Sequence, residues 1–259
     1  MYEKNISNQY NRMTTAGATT FPALMRSVYL WMTLGLVMTG FTAALVAGNP
    51  EFIYTLVTNQ MLFWGIAIAE LGLVVWLTAA ASKMRFSTMG ILFAIYCVLN
   101  GLTMSLIFVA YTQESIAQTF FVTAGTFGAM SLVGLFIRRD LSGLGRILLM
   151  LLVGLIIATI VNLFMHNEAL ASILNYAGVV IFVGLTAYDT QKIRRNFEYA
   201  EATEDDEMKG KLALLGSLTL YLDFINQKID LIKLSAHLTV TERRHQNLLV
   251  GKSVHQILR

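Results

Sequence analysis

A chain of 259 residues with 56% hydrophobic and only 14% charged side chains cannot cover itself in polar groups, because a soluble domain carries roughly 25% charge. The formal charge of +3 is modest, no nucleic-acid partner is expected, and the single cysteine, Cys97, excludes an intramolecular disulfide framework. Lipid is the solvent that such a composition calls for, so the fold class expected is all-α and polytopic, with the bilayer itself as first partner.

The N-terminal tail, residues 1–26, is polar as far as Pro22, and the first apolar run after it is long enough to span. It reads as a retained first span, since a cleaved signal would place a short apolar core straight after a basic start. A spanning helix needs about 20 mostly apolar residues. Seven segments meet or approach this: 27–47, 61–81, 86–111, 116–137, 147–165, 169–188 and 212–234. Together they make a membrane domain over 27–234, followed by a polar tail over 235–259. The connections are short, so neighbouring helices should run antiparallel.

Lys and Arg fall in alternate connections. They occur in the N-terminal tail (Lys4, Arg12, Arg26), after the second span (Lys83, Arg85), after the fourth (Arg138, Arg139, Arg146) and after the sixth (Lys192, Arg194, Arg195, Lys209, Lys211). The connections around Asn49, Thr112 and His166 have none. This is the positive-inside pattern and places the N-terminus in the cytoplasm. The seventh segment is less regular: Lys228, Asp230 and Lys233 interrupt it, and each such charge costs roughly 2.5–3.5 kcal/mol at a helix centre. Either packing on the other six holds it across, or it enters partway and leaves the tail (Arg243, Arg244, His245, Lys252, Arg259) in the cytoplasm.

Ionisable residues within spans are functional candidates, because the bilayer makes them costly. Three stand out: Glu70 in the second span, Asp189 at the inner end of the sixth and Asp223 in the seventh. The sixth and seventh spans are consecutive, so Asp189 and Asp223 are expected to face each other. Two carboxyl groups in contact cannot both ionise cheaply; they titrate as a unit holding one shared proton, which makes the pair a pH sensor. Simpler readings stand beside these. Asp189 would merely begin the charged loop next to Lys192 and Arg194, and Glu70 would merely bond to a neighbouring helix. His166, in a connection, reads as solvent-exposed, and Gly125, Gly128 and Ala129 read first as internal packing. No metal-ligand cluster, phosphate loop or nucleophile triad is present, and no cofactor is expected.

The segment Gly184-Leu185-Thr186-Ala187-Tyr188-Asp189-Thr190-Gln191-Lys192, followed by Leu220-Tyr221-Leu222-Asp223-Phe224-Ile225-Asn226, resembles the signature of the Bax inhibitor-1 family. Further blocks support this in order: Tyr29 to Leu36, Asn100 to Thr103, Val122 to Ser131 and Arg139 to Gly143. The resemblance is to the bacterial inner-membrane branch. It implies a seven-helix bundle with the last helix central, and a pH-sensitive calcium leak across the membrane. It implies Asp189 and Asp223 as the aspartate sensor and sites of possible calcium contact, Glu70 as an acidic position of the ion path, and Tyr188 and Asn226 as supporting residues. Some members close the path with a basic latch at the end of the second span; here that position falls near Ala81 or Ser82, so Lys83 or Arg85 would serve. The family's last helix stays apolar after Asn226, whereas this chain turns charged there.

Two other functions compete. One is a modulator that binds and restrains another membrane protein, such as a membrane protease, without transport. The other is an intramembrane aspartyl protease; its second motif would be Gly-x-Gly-Asp, and Leu220-Tyr221-Leu222-Asp223 lacks both glycines. An enzyme is therefore not expected.

Overall fold

The computed structural model describes the backbone of residues 2–200 and 205–257 and the side chains of residues 22–198 and 205–236. The side chains of Lys4, Arg12 and the basic residues after position 236 lie outside the described residues. Eight helices follow one another among the described residues: α1 (Tyr2–Ala47), α2 (Pro50–Thr58), α3 (Gln60–Ala80), α4 (Phe86–Ala110), α5 (Gln113–Phe136), α6 (Ser142–Met165), α7 (Glu168–Ala200) and α8 (Asp206–Ile257). No strand occurs among the described residues.

Among the described residues, six of these helices are long and apolar enough to cross a membrane: Pro22–Ala47 of α1, α3, α4, α5, α6 and Glu168–Glu198 of α7. They coincide with the first six expected spans. The seventh expected span lies inside α8, which carries Lys228, Asp230 and Lys233 and is not in that set. Sharp local signals separate the helices. Asn49 accepts from the Phe52 amide at 3.2 Å and Asn59 from the Leu62 amide at 3.1 Å, so each begins a helix as an N-cap. Thr112 does the same for α5 through the Ser115 amide. His166 ends α6 in the left-handed region with φ 52°, exposed as expected.

Two boundaries depart from the sequence reading. The loop after the first span contains α2, a nine-residue helix opened by Asn49 and Pro50. More important, α7 does not stop at Tyr188 but continues to Ala200, so Asp189 sits within a helix and not at the start of a loop.

The outward faces are apolar. On α6, Met150, Val153, Ile157 and Phe164 are each more than half exposed. Water would penalise this heavily, while acyl chains match it. α8 is the inverse case. It is the least apolar of the long helices, yet Leu214, Leu218, Tyr221, Phe224, Ile225 and Ile232 are all buried. It packs against α1, α4, α5 and α7, so protein rather than lipid faces most of its described length.

Candidate functional site

The site forms where α7 and α8 run together. Asp189 is 8% exposed and Asp223 5%, and their carboxyl groups are in hydrogen-bonding contact. Two bare carboxylates repel, so such contact requires a proton between them. Among the described residues no N–H or hydroxyl donates to Asp223 Oδ2. The pair foreseen from consecutive spans is thus together and secluded.

The end of α7 that carries Asp189 is fixed by neighbours distant in sequence. Gln191 donates Nε2 to the Arg139 carbonyl at 2.8 Å and accepts the Leu141 amide at 2.9 Å. Arg194 donates to the Leu135 carbonyl at 2.6 Å, satisfying an orphan acceptor in the last turn of α5. Arg195 donates to Gln191 and pairs with Asp140 at 2.8 Å. Arg194 and Arg195, topogenic charges in the sequence, thus also clamp the α5–α6 connection onto α7 together with Gln191. Tyr188 lies over Gly145 of α6, where a larger residue would collide with its ring, and Lys192 stands 5.9 Å from that ring centre.

Asp140, outside the bilayer segments, is held below its ordinary value by the Ser142 amide and hydroxyl and then by Arg195. Glu207 is likewise lowered, first by Lys211. A carboxyl lowered in the native state stabilises above its ordinary range, and that contribution is lost as pH falls through the lowered value. The α5–α6 connection is therefore expected to loosen only in acid, below about pH 4. Hydrogen exchange of residues 137–141 against pH measures this, and Asp140→Asn should abolish the acid step. Neither group gives a response near neutrality.

A cavity of about 190 Å³ reaches Asp189 from one side, lined by Thr78, Lys192, Asn196 and Thr219 among others. A larger one of about 750 Å³ lies between α1, α4, α5 and α8, with Thr39, Gln113, Phe224, Ile225 and Lys228 in its wall. Leu222 lines the first and Phe224 the second, so the α8 segment holding Asp223 separates them.

Glu70 belongs to a different network. It accepts from Thr103 at 3.0 Å and is approached by Asn100. Asn100 Oδ1 accepts from the Tyr221 hydroxyl at 3.1 Å, which also bonds Thr39 at 2.7 Å. This chain ties α3, α4 and α1 to α8 two residues before Asp223. Tyr221→Phe is expected to lower stability by about 1–2 kcal/mol, because it leaves buried Asn100 without its donor; thermal unfolding in detergent would register the loss. Lys83 and Arg85 are exposed in the α3–α4 turn, and among the described residues neither forms an ion pair with Asp189. The nearby cation is Lys192. Asn226 turns back onto its own helix, donating to the Leu222 carbonyl at 2.9 Å.

The sequence model of the family described as "Inhibitor of apoptosis-promoting Bax1" matches residues 22–235, every described span included. The chain belongs to this Bax inhibitor-1 family. The inner membrane protein YbhL of Escherichia coli (strain K12) is 45% identical over 219 residues, covering 85% of this chain and 92% of YbhL. The uncharacterized protein RP147 of Rickettsia prowazekii (strain Madrid E) is 40% identical over 209 residues, 81% of this chain and 87% of that protein. The uncharacterized membrane protein SpyM3_0260 of Streptococcus pyogenes serotype M3 is 35% identical over 209 residues, 80% and 89% respectively. None of these relatives is described as catalysing a reaction. With its six apolar helices and its likeness to YbhL, this Bax inhibitor-1 family member is a multi-pass bacterial inner-membrane protein.

Proposed function

We propose that the chain is a passive calcium leak gated by protonation of the Asp189–Asp223 pair, within a bundle in which α8 crosses as a central seventh helix and the N-terminus is cytoplasmic. The observation that carries this reading is the contact between two buried carboxyl groups, Asp189 of α7 and Asp223 of the α8 segment that divides the two cavities. With one proton shared, the helices attract and the segment can rearrange; with both groups ionised, Asp189 turns to a basic partner and the passage shuts. Lys192 is the partner already adjacent. Lys83 and Arg85 follow the end of α3, and Thr78 of α3 lines the same cavity as Asp189, so a movement of that turn would bring a latch to it. Carboxylate and amide oxygens suit calcium, a hard cation. Glu70, tied to α8 through Asn100 and Tyr221, serves as the acidic group of the path away from the pair.

Calcium uptake into proteoliposomes, measured against pH, tests the reading. Flux should rise as pH falls through the titration of the pair. Uptake that is indifferent to pH in the unaltered protein would refute it.

One feature favours a partner-binding role. Gly125 and Gly128, expected to seat a neighbouring helix internally, meet nothing within 4 Å. Gly128 borders an apolar groove between α1 and α5, so a second membrane protein can approach that backbone closely. Capture of a membrane partner that is lost in Gly128→Leu, with no leak in liposomes, would select this reading.

A further inference from the structure

The carboxyl pair does not account for all the polar side chains in the α7–α8 seam. Asp223, Gln227 and Asp230 follow at i, i+4 and i+7, which places them on one face of α8. Gln227 is 0% exposed, yet neither Oε1 nor Nε2 has a hydrogen-bond partner among the described residues. Asp223 Oδ2 shares that condition one turn away. An unpaired buried amide is destabilising, and such groups persist where they serve something other than stability. Asp230 shows that the seam makes room for oxygens: its carboxylate rests against Gly178 of α7, where any side chain would collide.

The chemistry is that of a hard cation. Asp223 Oδ2 and Gln227 Oε1 lie a turn apart on one helix face, and the Asp189 carboxyl faces Asp223 from α7. Three side chains are too few for a storage site, since calcium takes 6–8 oxygens. They suit a partly hydrated ion in passage, which must bind well enough to enter and weakly enough to leave.

We propose that Asp223 Oδ2 and Gln227 Oε1 form a transient coordination step for a divalent cation inside the α7–α8 seam, with the Asp230 carboxylate as the next acceptor along it. The proposal rests on the leak reading and adds to it Gln227, which sets apparent cation affinity without taking part in sensing pH, while Asp223 serves both. It also gives a role to the stretch after Asn226 where this chain departs from the apolar pattern.

The test is calcium uptake by the reconstituted full chain at fixed acid pH, as a function of external calcium. Gln227→Leu is expected to raise the half-saturating calcium concentration by roughly fivefold or more through loss of a ligand oxygen, with the pH midpoint unmoved. Its thermal midpoint in detergent should rise, because an unpaired amide has been replaced by a well-packed apolar group. A purely structural glutamine would give the reverse: a lower thermal midpoint and unchanged half-saturation. Equal half-saturation in Gln227→Leu and the unaltered chain, with Asp223→Asn still flattening the pH response, overturns this step and leaves the leak standing. Absence of calcium flux from the unaltered chain at every pH overturns both. Should Gln227→Leu fail to purify folded, Gln227→Asn withdraws the same amide by one methylene and is judged by the half-saturating calcium concentration: a rise supports the step and no change overturns it.

Discussion

Asp223→Asn should leave calcium flux high and flat with pH where the unaltered protein responds steeply. The asparagine amide permanently donates to Asp189 in place of the shared proton, so the variant mimics the protonated pair at every pH. A one-proton switch changes by up to about tenfold per pH unit, and the variant should vary by less than about twofold over the same range. The change is nearly isosteric and its amide keeps a hydrogen bond to Asp189, so the thermal midpoint should not fall. The peripheral carboxyl groups cannot produce the neutral response: Asp140 and Glu207 are held below their ordinary values and lose their contributions only in acid. Asp189→Asn provides the complementary case. It keeps a donor toward Asp223 but loses the charge that attracts Lys192, so it too should remain open as pH rises. Proteoliposome uptake between about pH 8 and pH 6 measures both, and a steep response surviving in Asp223→Asn would exclude the pair as the sensor.

The fold was legible where physics acts on composition. Six spans follow from apolar runs that match bilayer thickness, and the pairing of Asp189 with Asp223 follows from their places on consecutive helices. Three features were hidden for a common reason, namely that their partners lie far away in sequence. The continuation of α7 past Tyr188 looks like a loop because Lys192, Arg194 and Arg195 look solvated; in the fold, Arg194 and Arg195 find the Leu135 carbonyl and Asp140 more than fifty residues earlier. The charges of α8 looked too costly to bury. Lys228 stands 5.9 Å from the Phe120 ring centre at the wall of a cavity, and Asp230 uses the bare backbone of Gly178, neither of which a window of sequence displays. Glu70 was visible as a charge in a span, but its link to α8 needed Asn100 and Tyr221 in place. The small residues of α5 misled in the opposite direction. Composition cannot distinguish a glycine that seats a helix from one that faces open space, and Gly128 and Gly134 fall on opposite sides of that division.

That division gives the second large effect. At Gly134 an added methyl group would fall on the Ala187 carbonyl and lie 2.9 Å from Thr190 Cβ, so α5 and α7 cannot keep their present separation. The obstruction is main chain, which no rotamer change relieves, and overpacking of this kind costs about 1–3 kcal/mol. At Gly128, only six positions earlier on the same helix, a methyl group meets nothing. Replacing that glycine within a helix should stabilise by about 0.5–1 kcal/mol through reduced backbone freedom in the unfolded chain. Gly134→Ala should therefore lower the thermal midpoint in detergent by several degrees, while Gly128→Ala leaves it level or raises it. Ala187 and Thr190 flank Asp189, so the displacement in Gly134→Ala also pulls that carboxyl away from Asp223 and should weaken the pH response of calcium uptake. Equal midpoints for the two alanine variants would mean that α5 and α7 are not in close contact at this crossing, and the clamp that holds Asp189 against α8 would lose its basis.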